Sequence, residues 1–214
     1  MKKAKIAVLV SGGGTNLQAL IDAQQSGIIT SGEICLVISN NANAYALQRA
    51  ANANIATEVV LKKVLGSQQA FEEKIKQYLT EYGIDVIVLA GFMSILSKSF
   101  TSCYPKRILN VHPSLIPSFC GEGFYGLRVH KAALDYGVKV TGATVHFVNE
   151  IPDGGEIILQ KAVEIQPGDT PEILQKRVME QAEWKILPAA VELVCSQLLE
   201  RKRENECLRS RFSC

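Results

Sequence analysis

Arg107-Ile-Leu-Asn-Val-His-Pro-Ser-Leu-Ile-Pro117 opens on a short apolar run with β-branched ends and closes on two prolines four residues apart. Proline has no amide hydrogen to give to a sheet ladder, so a strand here must stop at about His112. Asn110 and His112 then stand two residues apart at the end of a buried strand, with side chains on the same face. An amide and an imidazole side by side at a strand's carboxyl end can stabilise a developing oxyanion. The alternative is a hydrogen-bonded pair that closes a turn.

Working back from that stretch, Asp85-Val-Ile-Val-Leu-Ala90 is another buried strand, and a helix is expected over Ser97–Cys103 between the two. Gln68–Tyr82 carries Phe71, Ile75, Tyr78 and Leu79 at helical spacing and stops at Gly83. Ile34–Ile38 and Ile55–Val60 read as strands around a helix near Ala44–Ala53. Lys5-Ile-Ala-Val-Leu-Val10 has the unbroken apolar character of a central parallel strand. Ser11-Gly-Gly-Gly14 follows it, and Leu17, Leu20 and Ile21 begin a helical pattern. Strands alternating with helices predict an α/β chain with a doubly wound, mostly parallel, Rossmann-like sheet.

Beyond Pro117 the pattern changes. Ser118–Gly126 holds three glycines and is expected to be a mobile loop; Leu127–Tyr136 is a helix ended by Gly137. Lys139–Asn149 alternates, with Val140, Gly142, Thr144, His146 and Val148 on one face, and Ile157–Ile165 alternates weakly. The two predict an antiparallel hairpin that finishes the sheet. Between them lies the polar turn Asn149-Glu-Ile-Pro-Asp-Gly-Gly155. Asp169-Thr-Pro171 resembles a helix start, and Glu172–Leu199 a long C-terminal helix with a bend expected at Pro188. Arg201–Cys214 alternates charge without a core face and is expected to fray into a tail.

With 214 residues, 47% of them hydrophobic, the chain has enough apolar surface for one large domain. A net charge of +2 argues for neither a nucleic-acid nor a membrane partner. No apolar run approaches the length of a membrane span, and the short run after Lys2 and Lys3 does not resemble a signal peptide. Six cysteines without a C-x-x-C pair read as reduced thiols, hence cytoplasmic. Cys103, His112 and Cys120 lack the spacing and the fourth ligand of a zinc site, so no metal is expected.

Ser11-Gly-Gly-Gly-Thr-Asn16 lies between a strand and a helix, where backbone N–H groups and the helix N-terminus attract an anion. A Walker loop needs Gly-Lys-Ser/Thr, which is absent. A dinucleotide fingerprint needs a small residue where Leu17 stands, and no acid follows the second strand to hold a ribose. A single phosphate therefore fits better than a pyrophosphate; a tight turn without ligand is the alternative. In such sheets ligands sit beyond the carboxyl ends of the strands. That edge gathers Ser11–Asn16, Gly91–Met93, Asn110 and His112, and the Asp153 turn reaches it if the hairpin packs beside residues 107–112.

Ser11-Gly-Gly-Gly-Thr-Asn-Leu17, Leu89-Ala-Gly-Phe-Met93, Leu109-Asn-Val-His-Pro-Ser-Leu-Ile-Pro117 and Val145-His-Phe-Val148 with Asp153-Gly-Gly155 together resemble the phosphoribosylglycinamide formyltransferase family of purine synthesis. The likeness runs from about Lys5 to Leu199. It implies formyl transfer from 10-formyltetrahydrofolate, as co-substrate, to the amine of glycinamide ribonucleotide, by a monomer or homodimer. It implies Asn110, His112 and Asp153 as the catalytic trio, and Gly14, Thr15 and Asn16 at the substrate phosphate. Glu183 matches an acid at the substrate amine. Met93, Leu96, Val148, Asn149, Glu150, Ile151 and Pro152 match the folate pocket. On this likeness residues 1–200 form one formyltransferase domain, with a phosphate-binding half (1–110) and a folate and catalytic half (111–200), followed by the charged tail 201–214.

The chemistry asks for such groups. Attack of an amine on the amide-like formyl carbon puts charge on oxygen, which an Asn110 N–H and a protonated His112 can hold. Asp153 nearby favours the imidazolium and, through a water, can take the amine's proton. Ser114 and Cys120 are turn and loop residues on this reading. His146 either packs or orients Asp153, and His130 is expected at the surface or anchoring the loop. Two departures from the family pattern stand out. Phe119–Gly126 is longer than the usual proline-glycine turn, with Cys120 in place of proline. Ser94 replaces an arginine that would meet the folate tail. A formyltetrahydrofolate hydrolase is the nearest rival; such relatives carry a regulatory domain ahead of the catalytic one, and none is expected before a strand that starts at Lys5.

Overall fold

The computed structural model describes residues 3 to 211, with side chains through residue 206. In chain order the elements are β1 (Ala4–Val10), α1 (Thr15–Gln25), β2 (Gly32–Ser39), α2 (Tyr45–Asn52), β3 (Ala56–Val59), α3 (Lys62–Leu65), α4 (Gln68–Glu81), β4 (Val86–Leu89) and α5 (Lys98–Thr101). Then come β5 (Ile108–His112), α6 (Leu127–Tyr136), β6 (Val140–Phe147), β7 (Ile157–Glu164), α7 (Pro171–Val178), a π-helical turn (Met179–Glu183) and α8 (Trp184–Arg211). One seven-stranded sheet has the order β3-β2-β1-β4-β5-β6-β7. The first five strands are parallel, and β6 and β7 each run antiparallel to the strand before.

β1 lies in the interior of the sheet and is buried on both faces, which is why its sequence is apolar without alternation. On one face Leu17, Leu20, Val191 and Val194 from α1 and α8 complete a core; on the other, Phe71, Ile75 and Phe100 from α4 and α5 complete a second. The expected helix over Ser97–Cys103 is shorter, Lys98–Thr101. It is capped by the Ser97 hydroxyl, which itself donates to the buried Glu72.

The long C-terminal helix differs from the sequence expectation in two ways. α8 runs on through Pro188, and a π-helical turn at Met179–Glu183, which no signal in the sequence foretold, opens it. There the Trp184 N–H reaches back five residues to the Met179 carbonyl. Pro188 removes only the bond that would have ended on Trp184, beside a turn already widened. The helix also continues past residue 200 to Arg211 instead of fraying, with Lys202 paired to Asp85 at 2.6 Å. Residues 212–214 of the expected tail lie outside the described residues. Among the described residues no helix is long and apolar enough to cross a membrane.

Strand pairing in the hairpin is tight. A Cβ at Gly142 would collide with the Lys161 carbonyl of β7 and approach the Leu115 side chain. Because backbone cannot move aside cheaply, Gly142→Ala is expected to cost about 1–3 kcal/mol. A thermal melt should show the midpoint several degrees below wild type.

Candidate active site

The first contributor is the glycine loop. Gly14 takes φ 72° and starts α1 without a side-chain cap. Its missing Cβ leaves room for Ala46, which a methyl group would meet at 2.6 Å. The opening N–H groups of α1 thus lack a side-chain acceptor of their own and suit an anion. Arg49 braces the loop by donating from Nε to the Gly13 carbonyl at 2.8 Å. Thr15 touches the Met179 sulfur at 3.8 Å, and Asn16 donates to Glu183 at 2.7 Å. Two residues expected at a phosphate therefore face the π-helical turn with their side chains.

The second contributor is the end of β5 with the turn after β6. Antiparallel register sets Asn110 directly across from His146 and His112 across from Thr144. Asp153, in a left-handed conformation (φ 55°), returns its carboxylate to the same place. One oxygen lies 3.5 Å from Asn110 Nδ2 and 3.4 Å from His146 Nε2; the other lies 3.4 Å from His112 Nδ1. Gly155 lets the turn close, since a Cβ there would run into the Phe147 carbonyl. The three residues expected to carry the chemistry are thus brought together.

Their charge state differs from expectation in one respect. His112 is 4% exposed, and burial pushes its basicity below the usual imidazole range despite the Asp153 carboxylate beside it. Its Nε2 lies 2.9 Å from the Phe119 carbonyl. A carbonyl only accepts, so Nε2 carries a hydrogen, and in the neutral ring Nδ1 is the free base that faces Asp153. Burial works against the imidazolium expected here, and the Asp153 carboxylate works for it. Burial raises the Asp153 carboxyl, but its polar surroundings, the Gly121 N–H among them, outweigh that and hold it below its ordinary value.

The third contributor is Glu183, 6% exposed. Burial pushes its carboxyl up to about 7, opposed by the hydrogen bond from Asn16. A carboxyl raised on folding binds its proton more tightly in the folded chain, so stability falls as pH rises from about 4.5 through about 7. Glu183→Gln, neutral throughout, is expected to match wild type near pH 4.5 and to exceed it by about 1–3 kcal/mol at pH 8. Melting curves at the two pH values would show it.

The residues expected to hold folate divide. Met93 and Ile151 are each more than half exposed, whereas Leu96 is buried in the core with Phe100 and Ile108. Val148 packs partly against the same core, and Asn149 and Glu150 line a surface cavity of about 280 Å³ with Lys106 and Glu156. Pro152 leads into Asp153 within the turn. Met93 is held by its N–H to the Ser11 hydroxyl at 2.8 Å, which ties the ends of β4 and β1.

Some groups at the site left no trace in the sequence. The Phe119 carbonyl and the Gly121 N–H, 2.9 Å from Asp153, act from the backbone of the loop over residues 118–126. Ser114 and Cys120 bond to the nearby Ser118 and Pro117 carbonyls, as turn residues do. His130 is not at the surface: it is fully buried on α6, and burial with the nearby His112 drives its basicity down to about 4. The helix turns Val129, His130 and Ala133 inward together. Among the described residues no cluster of three or more His, Cys, Asp or Glu is placed to hold a metal ion.

A model of the formyl transferase family matches residues 4–191. The phosphoribosylglycinamide formyltransferase of Haemophilus influenzae is 46% identical over 187 residues, 87% of this chain and 85% of that protein. The human trifunctional purine biosynthetic protein adenosine-3 is 48% identical over 195 residues; they are 91% of this chain and 19% of that protein. The chain thus spans about a fifth of the length of the trifunctional relatives. Glycinamide ribonucleotide transformylase 1 from Symbiobacterium toebii superposes with a TM-score of 0.85 at 41% identity, over 91% of this chain and 89% of that one. A phosphoribosylglycinamide formyltransferase from Coxiella burnetii, solved with CHES, gives 0.84 at 40%, over 92% and 89%. By sequence and by fold, this chain belongs to the formyl transferase family.

Proposed function

We propose that this chain transfers the formyl group of 10-formyltetrahydrofolate to the amine of glycinamide ribonucleotide, a step of purine synthesis. The observation that carries the reading is the meeting of Asn110, His112 and Asp153 on the sheet edge that also bears the uncapped glycine loop. Gly14, Thr15 and Asn16 take the substrate phosphate, and Glu183 accepts from its amine. Met93, Ile151 and the turn 148–152 line the folate side, above Leu96. The folate supplies the formyl carbon. Asn110 donates to the formyl oxygen as charge gathers there. His112 takes the proton that the amine must lose at its bare Nδ1, and the imidazolium so formed lies against Asp153. The same proton then goes to the departing folate nitrogen as the carbon–nitrogen bond breaks.

A hydrolase, which gives the formyl group to water, draws no support from the relatives matched over most of their length, which are named as glycinamide transferases. We place the phosphate site in residues 1–110 and most of the catalytic and folate site in 111–200, with Asn110, Met93 and Leu96 contributed from the first half, in a cytoplasmic monomer or homodimer. The free thiols of Cys35, Cys103, Cys120 and Cys195 suit such a compartment. Mixing both substrates with the wild-type chain and following absorbance of the released folate tests the reading. Transfer supports it. Binding without transfer, or formate released as fast without glycinamide ribonucleotide, would sink it.

A further inference from the structure

We propose that His146 is a positioning residue for formyl transfer: it accepts a hydrogen bond from Asn110 and so locks that amide with one N–H turned toward the reacting oxygen. The proposal rests on the transfer reading above, which supplies that oxygen.

The argument begins at the far side of the ring. His146 Nδ1 lies 2.8 Å from the carbonyl of Phe147. A carbonyl oxygen can only accept, so Nδ1 carries hydrogen and the neutral ring keeps a lone pair on Nε2. Nε2 in turn is 3.2 Å from Asn110 Nδ2. The contact is built into the sheet, because β5 and β6 pair these two residues directly. Turning the Asn110 amide over would bring its oxygen against the same lone pair, so the amide has one allowed orientation.

Three separations set what the amide hydrogens can do. Asn110 Nδ2 is 3.2 Å from His146 and 3.5 Å from Asp153, and the two acceptors are 3.4 Å apart. The triangle is nearly equilateral, so the acceptors subtend roughly 60° at the nitrogen, about half the angle between its two hydrogens. Both acceptors therefore lie within reach of a single hydrogen, and with that hydrogen shared the other is directed away from both; this is the arrangement proposed. His146 is buried, with both ring nitrogens engaged inside the protein, so it acts through Asn110 and not on the substrate.

Leucine at 146 keeps the bulk and removes the acceptor; glutamine returns an acceptor at about the reach of Nε2. His146→Leu is expected to lower kcat by about 10–100-fold, with both KM values within about twofold of wild type. His146→Gln should recover most of the loss. Adding Asn110→Ala to His146→Leu should slow the enzyme no further than Asn110→Ala alone, since both remove the same donor. Nitrogen-15 NMR of the wild type should show His146 neutral with hydrogen on Nδ1. Multiplying losses in the double variant, or a KM rise that carries the defect, would overturn the proposal. So would an imidazolium at 146, which makes Nε2 a donor to Asp153. If His146→Leu does not fold, His146→Gln and the NMR measurement still decide. A wild-type chain without transfer activity overturns the reaction itself, whereas these other outcomes overturn only the role of His146.

Discussion

Asparagine in place of Asp153 is expected to lower formyl transfer by about 10³-fold while leaving the fold intact, within the range that a positioned proton-transfer group contributes. The carboxylate does one thing that an amide cannot: it offers an anion to His112 Nδ1 at 3.4 Å once that nitrogen has taken a proton. The bond from the Gly121 N–H at 2.9 Å is one that an amide oxygen accepts as well. Without the anion, the proton on a ring already disfavoured by burial has nothing to compensate it. The fold survives because residue 153 has φ 55°, a left-handed conformation that asparagine tolerates as well as aspartate does. Circular dichroism and a melting curve should match wild type while single-turnover transfer collapses. Activity within tenfold of wild type would mean that His112 works alone. In wild type, transfer should fall on the acid side as His112 is protonated, at a pH below the usual imidazole range.

Asn110→Ala is expected to cost about 10²–10³-fold in kcat, or about 2.7–4 kcal/mol of barrier, with little change in KM. The side chain is half-buried at the end of β5, and its removal leaves His146 and Asp153 without their shared hydrogen. Asn110→Asp sharpens the test. It keeps the shape but sets a second carboxylate against one that now lies 3.5 Å from an amide nitrogen. Like charges so close resist joint ionisation, so this variant should be at least as slow as the alanine one. A Kd for glycinamide ribonucleotide near that of wild type would place the defect in the chemical step.

Much of this arrangement could be read before any coordinates. The prolines after His112 end a strand, the apolar run Lys5–Val10 needs two covered faces, and Asp153-Gly-Gly155 marks a turn that returns an acid to the same edge. Each signal is local, a matter of ring closure, periodicity or a missing side chain. What escaped was of another kind. The Phe119 carbonyl and Gly121 N–H belong to every residue's backbone, so nothing in their identity foretells which partner they meet. The balance at His112 depends on how much water the fold removes, which residue types do not encode. His130 looked like one polar residue on a helix, and only α6's packing shows that it points inward. The widened turn at Met179–Glu183 contains neither glycine nor proline, so residue type alone gave it no mark.

That widened turn has a consequence for how the family can vary. Each residue added to or taken from a helix rotates all that follows by roughly 100°. A lineage that lost one position between Val178 and Trp184 would straighten its helix and swing the acid away from Asn16, with the sheet untouched. The aim of this acid is therefore set by chain length as much as by residue choice, and a single-codon indel would redirect it without any change at Glu183 itself.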